Sequence, residues 1–482
     1  MDLKNLISQA DLISKRDQIK KVFFYRICGT GMGACAYLMK EAGFDVTGAD
    51  SSYSPPMSTY LESTGMMLYK LDVVNADFLK QFDLIIVGNS VSGKSDHARL
   101  IEACGVPFTS FPSCMGALVL RDANVVGVAG THGKTTTTYF LTQMLEKLKQ
   151  DPGYLIGGII DGRQPAYVGS KKYFVIEADE YDSAYFHKIS KFRLYELKNM
   201  ILTSLEFDHA DIFSSVEKIE DEFRAILPNL KKTIVFNGEY PSANKLYAEY
   251  KNNGATWIKY GPGMDAGPTN IKTFENGSEF SLNYKGETFN FKTDVVGTHN
   301  VLNLSSCILY LFQEGFSFVD IQASCQKLEM VKRRQEVRGI YKDAIVIDDF
   351  AHHPRAITVT LDAIRARYKN KKIITVFEPI SATARSSIFQ NEFFQSLSDS
   401  DKVIVAKAEI PTTAMSGKDL DGEKLVSDLN LKKVEAQCVY DLVNLRKAID
   451  HLVEPQSVLL ILSNRTCLGL WESDFVKELA KQ

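Results

Sequence analysis

Residues Val125–Leu145 read VVGVAGTHGKTTTTYFLTQML. Small and β-branched residues lead to a Gly-Thr-His-Gly-Lys turn, after which the chain enters four consecutive threonines and an apolar pattern with helical spacing. A strand that hands over to a helix in this way brings free backbone N–H groups and the positive end of a helix dipole to one point, which is a cradle for phosphate. Gly130 and Gly133 permit close approach and unusual dihedrals. Lys134 reaches β and γ phosphates, and the Thr135 hydroxyl offers magnesium a hard oxygen. The spacing is a specialised variant of G-x-x-x-x-G-K-[ST]. Counting back from Gly133 puts Val128 at the first glycine position, with Gly127 one residue early and Gly130 inside the loop. The competing reading, an ordinary strand–helix turn with a surface lysine, leaves the threonine cluster unexplained, since threonine is a mediocre helix former and an N-cap needs one hydroxyl. Thr135 and Thr136 are retained as metal or phosphate candidates; the remaining hydroxyls point to a ligand or to local backbone bonds.

Outward from this turn the chain alternates apolar strands and helices. Towards the N-terminus, KVFFYRICGTGMGACAYLMKEAGFDVTGAD reads as strand, glycine-rich turn, helix and strand, preceded by a short helix at residues 2–19. Towards the C-terminus, KYFVIEAD, NMILTSLE and KKTIVFNG are strands, residues 261–290 form hairpins, and GTHNVLNLSSCILYLFQEG is helical with Asn300 as its start. DAIVIDD, KKIITVFEPI, DKVIVAKAEI and SVLLILSNR give a third strand–helix series. The expected fold class is therefore α/β with mostly parallel sheets around a central phosphate-loop domain. Three domains in series are expected, at residues 1–120, 121–328 and 329–482 of the 482.

Composition narrows the function. With 56 Lys plus Arg against 59 Asp plus Glu, no global basic field exists to hold nucleic acid or an anionic membrane. The N-terminus lacks a secretory pattern, no 18-residue apolar run occurs, and the eight scattered cysteines form no C-x-x-C pair. A cytoplasmic enzyme without stable membrane association is expected, as a monomer, with a dimer as the alternative.

Three clusters carry further chemistry. FVIEADEYDS places Glu177, Asp179, Glu180 and Asp182 at the carboxyl end of a strand, the edge on which the phosphate loop lies. Glu177 is the magnesium candidate, while helix N-terminal charge preference accounts equally well for Asp179 and Glu180. ILTSLEFDHADIF offers His209 as a second metal ligand, against a bland capping or core role. VIDDFAHHP ends a strand in Asp348 and Asp349, of which one is a ribose acceptor or a helix cap, and KRRQE supplies Arg333 and Arg334 as phosphate partners or solvated surface. The first glycine turn, CGTGMG, fits G-x-G-x-x-G only loosely, and with Asp50 it leaves a dinucleotide and a nucleotide diphosphate both open.

Taken in order, GTGMG, GTHGKTTT, EADEYD, EFDHADIF, GTHNVLN, RRQE and DDFAHHP resemble the Mur ligases, the ATP-dependent amide-forming enzymes of peptidoglycan assembly. The resemblance implies ATP phosphates held by Gly130, Thr131, His132, Gly133, Lys134, Thr135 and Thr136, with magnesium placed by Thr135, Glu177 and His209. It implies His299, Asn300 and Asn303 on the adenine side, and Arg334 and Asp349 brought by the third domain. The catalytic set is Lys134, Glu177, His209 and Arg334. Gly29, Thr30, Gly31, Met32, Gly33, Asp50, Asn89, Ser90 and His97 match the UDP-sugar segment, so the first domain is expected to hold a uridine diphosphate and not NAD.

Within the family the motifs look most like ligases joining UDP-N-acetylmuramate to L-alanyl-γ-D-glutamyl-meso-diaminopimelate in peptide recycling. L-alanine is the alternative acceptor, and a non-catalytic UDP-sugar-binding protein is the reading from another class. Two departures bear on the acceptor. Ile380 stands where the motif FEPRS has a basic residue, with Arg385 further on, and Arg465 and Thr466 replace the glycines of SNGGF. Arg385 and Arg465 are the candidate contacts to an acidic peptide.

Overall fold

The structure is a computed structural model that describes residues 2–53, 57–158, 160, 162–208, 212–408 and 419–481. Its contacts divide the chain into two compact units, residues 1–206, 217–266 and 304–324 in one, and residues 207–216, 267–303 and 325–482 in the other.

The first unit holds one parallel and one mostly parallel sheet. Strands β1 (Lys21–Tyr25), β2 (Asp45–Asp50), β3 (Met67–Lys70), β4 (Leu84–Val87) and β5 (Phe108–Ser110) lie in the order β3-β2-β1-β4-β5. β1 and β4 are buried along nearly their whole length, as expected of strands covered on both faces. From β1 the chain passes to β2 on one side while β4 pairs on the other, which makes the β1–β4 gap the switch point at which α/β sheets take their ligands. The expected helix at residues 2–19 is shorter, Gln9–Ser14 followed by a single 3₁₀ turn at Arg16–Gln18.

The second sheet is built from β6 (Val125–Ala129), β7 (Gly153–Leu155), β8 (Ala166–Tyr167), β9 (Phe174–Ala178), β12 (Asn199–Leu202), β13 (Thr233–Asn237) and β14 (Thr256–Tyr260), ordered β14-β13-β12-β6-β9-β7-β8. All of its pairings are parallel except that of β8 with β7. Between β9 and β12 the chain makes a hairpin, β10 (Asp182–Ala184) and β11 (His187–Ser190). No helix begins at Asp179 or Glu180, so the helix-charge reading of those carboxylates is replaced by the ion pairs described below. The hairpin tip packs into the core of the first sheet. Tyr185 lies among Phe23, Tyr25, Ile85, Val87 and Phe108, and its hydroxyl donates to Glu102 at 3.1 Å.

The second unit contains the antiparallel sheet of β15 (Gly267–Phe274), β16 (Gly277–Tyr284) and β17 (Glu287–Thr293), the hairpins expected from the alternating sequence. It also contains a six-stranded sheet of β18 (Glu336–Tyr341), β19 (Ala344–Asp349), β20 (Ile373–Phe377), β21 (Lys402–Ala406), β22 (Glu435–Val439) and β23 (Val458–Leu462), ordered β18-β19-β23-β20-β21-β22. Only β18 is antiparallel. Its two faces are covered by apolar clusters, one centred on Ile357, Leu361 and Phe393 and the other on Leu445, Ile449 and Phe475. The helix expected to start at Asn300 begins two residues earlier, as Thr298–Gln313. Among the described residues, no helix is long and apolar enough to cross a membrane.

Candidate active site

The phosphate loop leaves β6 at the carboxyl edge of its sheet, flanked by the ends of β9 and β12. Gly130 has φ +133°, and a Cβ there would lie 2.5 Å from Thr203 Oγ1 and 2.7 Å from the Ser204 carbonyl oxygen, so only glycine fits. Gly133, at φ +83°, is the N-cap of the helix Lys134–Lys147 and turns the chain into it. Segment 203–206 shapes the loop from outside. The His132 N–H donates to Ser204 Oγ at 2.7 Å, and the His132 carbonyl accepts from Thr203 Oγ1 at 2.5 Å. Thr131 Oγ1 donates to the Glu206 carbonyl and accepts from the Glu206 N–H. His132 Nε2 stands 3.6 Å from a Glu206 carboxylate oxygen.

Two acids from the β9 end meet this loop. Lys134 Nζ lies 2.7 Å from Glu180 Oε2, with the lysine side chain 14% exposed and the glutamate 3%. Burial pulls the ammonium pKa down, but Glu180, Asp179 and Glu177 together outweigh it and the net displacement is well upward, so Lys134 stays charged. Glu177 accepts from Thr135 Oγ1 at 3.1 Å and from the Gly157 N–H at 2.6 Å. Burial raises the Glu177 carboxyl above its ordinary range, partly opposed by Gly157, Lys134 and Thr135. A half-buried carboxylate beside a threonine hydroxyl at a helix start is the hard-oxygen donor set that magnesium takes together with phosphate oxygens, so these residues fit that ion. His209 lies outside the described residues. Thr136 is buried next in the helix, whereas Thr137 and Thr138 are fully buried core residues and not ligand hydroxyls.

Glu180 is the residue that sequence reasoning left undecided; its acidic run was visible, but the pairing with Lys134 depends on the chain leaving β9 as a hairpin. Glu102, Thr203 and Ser204 carried no motif at all.

The first glycine turn follows β1. Gly29 caps the helix Thr30–Glu41, which begins with Thr30. Gly31 has the Phe111 ring against it, Gly33 lies against Met57, and Met32 packs under Gly88 at the end of β4. The loops after β1 and β4 therefore meet at the switch point. Asp50, buried at the end of β2, accepts the Cys28 N–H at 2.8 Å and so holds the turn itself. Asn89 and Ser90 are exposed just past β4. His97, in the first turn of the helix Asp96–Ala103, has Nδ1 2.7 Å from the Tyr25 hydroxyl. Burial pushes that phenol up to about 12.

In the second unit, Asp349 accepts the Gln335 and Ala351 N–H groups, each at 2.8 Å, and pins the 333–335 turn to the end of β19. Arg334 lies over the Phe350 ring at 5.0 Å, and burial raises the Asp349 carboxyl above its ordinary value, partly opposed by the Arg334 charge. Arg333 is the structural member of the pair, bonded to Asp348 and to the Ser463 and Arg465 carbonyls. His299 Nε2 is 3.1 Å from Gln335 Nε2, and burial with the nearby Arg334 pushes the imidazole down to about 4. Asn300, in the first turn of its helix, donates to the Val296 carbonyl, and Asn303 is buried one turn on. Arg385 closes a short helix turn and Arg465 is exposed on the loop after β23. That loop is held by Glu378, 1% exposed, whose carboxylate accepts from Ser463 Oγ at 2.5 Å, the Cys467 N–H at 3.1 Å and the Leu468 N–H at 2.8 Å.

This arrangement coincides with a known one along almost the whole chain. Residues 21–122 match the Mur ligase family catalytic domain, 128–311 the Mur ligase middle domain, and 333–465 the Mur ligase glutamate ligase domain. The chain belongs to the Mur ligase family. Two similar Mur ligases are the UDP-N-acetylmuramate–L-alanyl-gamma-D-glutamyl-meso-2,6-diaminoheptandioate ligases of Haemophilus influenzae and Escherichia coli. The first is 33% identical over 94% of this chain and 98% of its own length, and the second 36% identical over 81% and 86%. Among solved Mur ligase structures, the murein peptide ligase of Psychrobacter arcticus superposes with a TM-score of 0.68 at 29% identity, covering 94% of this chain and 97% of its own.

Proposed function

We propose that this Mur ligase uses ATP and magnesium to join the carboxylate of UDP-N-acetylmuramate to the amino group of L-alanyl-γ-D-glutamyl-meso-diaminopimelate, in cytoplasmic recycling of cell-wall peptide. The observation that carries the proposal is the end-to-end match, at 33% identity, to a relative named for that reaction. The site chemistry supports it. Lys134 is a charged, nearly buried ammonium with a carboxylate partner in place of phosphate. A γ-phosphate entering the loop takes the place of Glu180 on that ammonium and meets the backbone N–H groups at the start of the helix.

The donor carboxylate attacks the γ-phosphorus, ADP leaves, and an acyl phosphate results. The acceptor amine then attacks the acyl carbon, and inorganic phosphate leaves from the tetrahedral intermediate. Both steps join nucleophiles supplied by the substrates, so no side chain need become covalently attached. Magnesium, when bound, offsets the charge of the triphosphate; Thr135 and Glu177 would hold it, with His209 as the further ligand. Lys134 and Arg334 supply fixed positive charge for the phosphoryl group in transfer. Asn300 and Asn303 are assigned to the adenine side, with Asp349 holding the turn that carries Arg334. Gly29–Gly33, Asp50, Asn89, Ser90 and His97 are assigned to the UDP-sugar, and Arg385 and Arg465 to the acceptor's carboxylates.

The test offers UDP-N-acetylmuramate, ATP and magnesium with L-alanine, a dipeptide, the tripeptide or a tetrapeptide, scored by phosphate release and product mass. Turnover with the tripeptide and not with free L-alanine is expected. Preference for L-alanine would transfer the chain to the alanine-adding ligases, and nucleotide binding without phosphate release under any condition would remove the catalytic reading.

A further inference from the structure

We propose that Lys191 binds the diphosphate of the nucleotide-sugar donor, an inference that rests on the donor assignment above. Lys191 follows β11 directly, and no sequence motif marks it. Its backbone N–H donates to the Tyr181 carbonyl at 3.2 Å, which fixes its start, and its side chain is 15% exposed. The ammonium lies 2.5 Å from Asp179 Oδ2 and within 6 Å of two ring centroids, 5.9 Å from Phe111 and 5.8 Å from Tyr181.

Phe111 connects this lysine to the first glycine turn. It is the ring that lies against Gly31, with Phe111 Cζ only 3.3 Å from where a Cβ on that glycine would be. Asp179 connects it to the phosphate loop, since its charge acts on both Lys134 and Glu177. Lys191 therefore stands on the path that a donor must span, between the turn that receives its diphosphate and the loop where its carboxylate reacts. It follows the separate two-stranded β10–β11 hairpin, inserted between β9 and β12 of the second sheet, whereas the diphosphate is assigned to the first sheet. The β10–β11 hairpin, anchored by Tyr185 in the first core, sets its position.

Asp179 plays toward Lys191 the part that Glu180 plays toward Lys134. Each carboxylate partners a low-exposure ammonium, and on this proposal an incoming phosphate group takes the carboxylate's place. A dianionic diphosphate competes well against one carboxylate for an ammonium whose side chain is already ordered, because little further entropy is lost. The diphosphate keeps its charge throughout the reaction, so this contact is equally strong in ground and transition states. It acts on KM and leaves kcat alone.

The experiment compares Lys191→Met, Lys191→Arg and wild type in steady-state ADP release, together with calorimetric titration of UDP. Lys191→Gln is made as well, so that a polar, similarly sized variant is available should Lys191→Met fail to fold. For Lys191→Met the KM for UDP-N-acetylmuramate rises about 10- to 100-fold, the span of a lost charge-assisted contact, and UDP affinity falls by a similar factor. The kcat and the KM for ATP stay within about 3-fold on the same uniform-binding argument. Lys191→Arg recovers most of the loss. Unchanged donor KM and UDP affinity would overturn the inference, as would a loss confined to kcat, or weakened UDP-N-acetylmuramate with UDP unaffected. If wild type consumes no ATP with this donor, the donor assignment fails instead, while the UDP titration still reports on Lys191.

Discussion

Lys134→Ala separates what this lysine does for the fold from what it does for the reaction. In the folded chain its ammonium is the ion partner of Glu180, a carboxylate 3% exposed at 2.7 Å. Truncation leaves that carboxylate buried beside Asp179 and Glu177, and breaking a buried pair from one side costs about 3–5 kcal/mol. Adding Glu180→Gln removes the orphaned charge and returns the larger part of that loss. Because the Lys134 pKa is raised on folding, its contribution is fully present below the unfolded lysine value of about 10.4 and is lost only as pH climbs through the folded value. The titration of Lys134 itself therefore adds no pH dependence to its stability contribution between pH 6 and pH 9. Activity behaves differently. Both the single and the double variant lose the fixed charge on the phosphoryl group, worth about 10²- to 10³-fold in kcat. Urea unfolding gives the first quantity and single-turnover ADP formation the second. A double variant no more stable than the single one would refute the ion-pair argument, and turnover within tenfold of wild type in either would refute Lys134 as a phosphate ligand.

Gly130→Ala forces a Cβ to 2.7 Å from the Ser204 carbonyl at φ +133°. About 2–4 kcal/mol of stability is lost, read by thermal unfolding, and ATP affinity falls with it. His299, pushed down to about 4, is neutral at pH 7, and its folded state resists protonation; stability is complete above the unfolded value and drains away as pH falls from about 6.5 to 4, by at most about 3 kcal/mol. Wild type should thus lose stability relative to His299→Asn over that window, and parallel pH profiles would contradict the assignment. Glu378→Gln puts a donor against the Cys467 and Leu468 N–H groups, costing about 2–3 kcal/mol. It raises the KM for the peptide acceptor, because the loop it holds carries Arg465; an unchanged acceptor KM would exclude that loop from the acceptor site.

The sequence by itself determined the strand–turn–helix at Val125–Leu145, the parallel α/β class and the order of the family motifs. These are local: alternation of apolar runs, glycine where φ is positive, and lysine and threonine at a helix start can all be read within a few residues. It also exposed the acidic run after β9, but not which acid meets which base. Glu180 pairs with Lys134, and Asp179 with Lys191, only because the chain leaves β9 as a hairpin whose tip is buried in the neighbouring sheet's core. Likewise, Arg333 and Arg334 are adjacent and identical in type; both lie near the Phe350 ring, and the fold ties Arg333 to Asp348 and to the Ser463 and Arg465 carbonyls. Tertiary structure decided these roles because ion pairing at a buried site depends on which charges share a low-dielectric space, and residues far apart in the chain are brought into that space by packing alone.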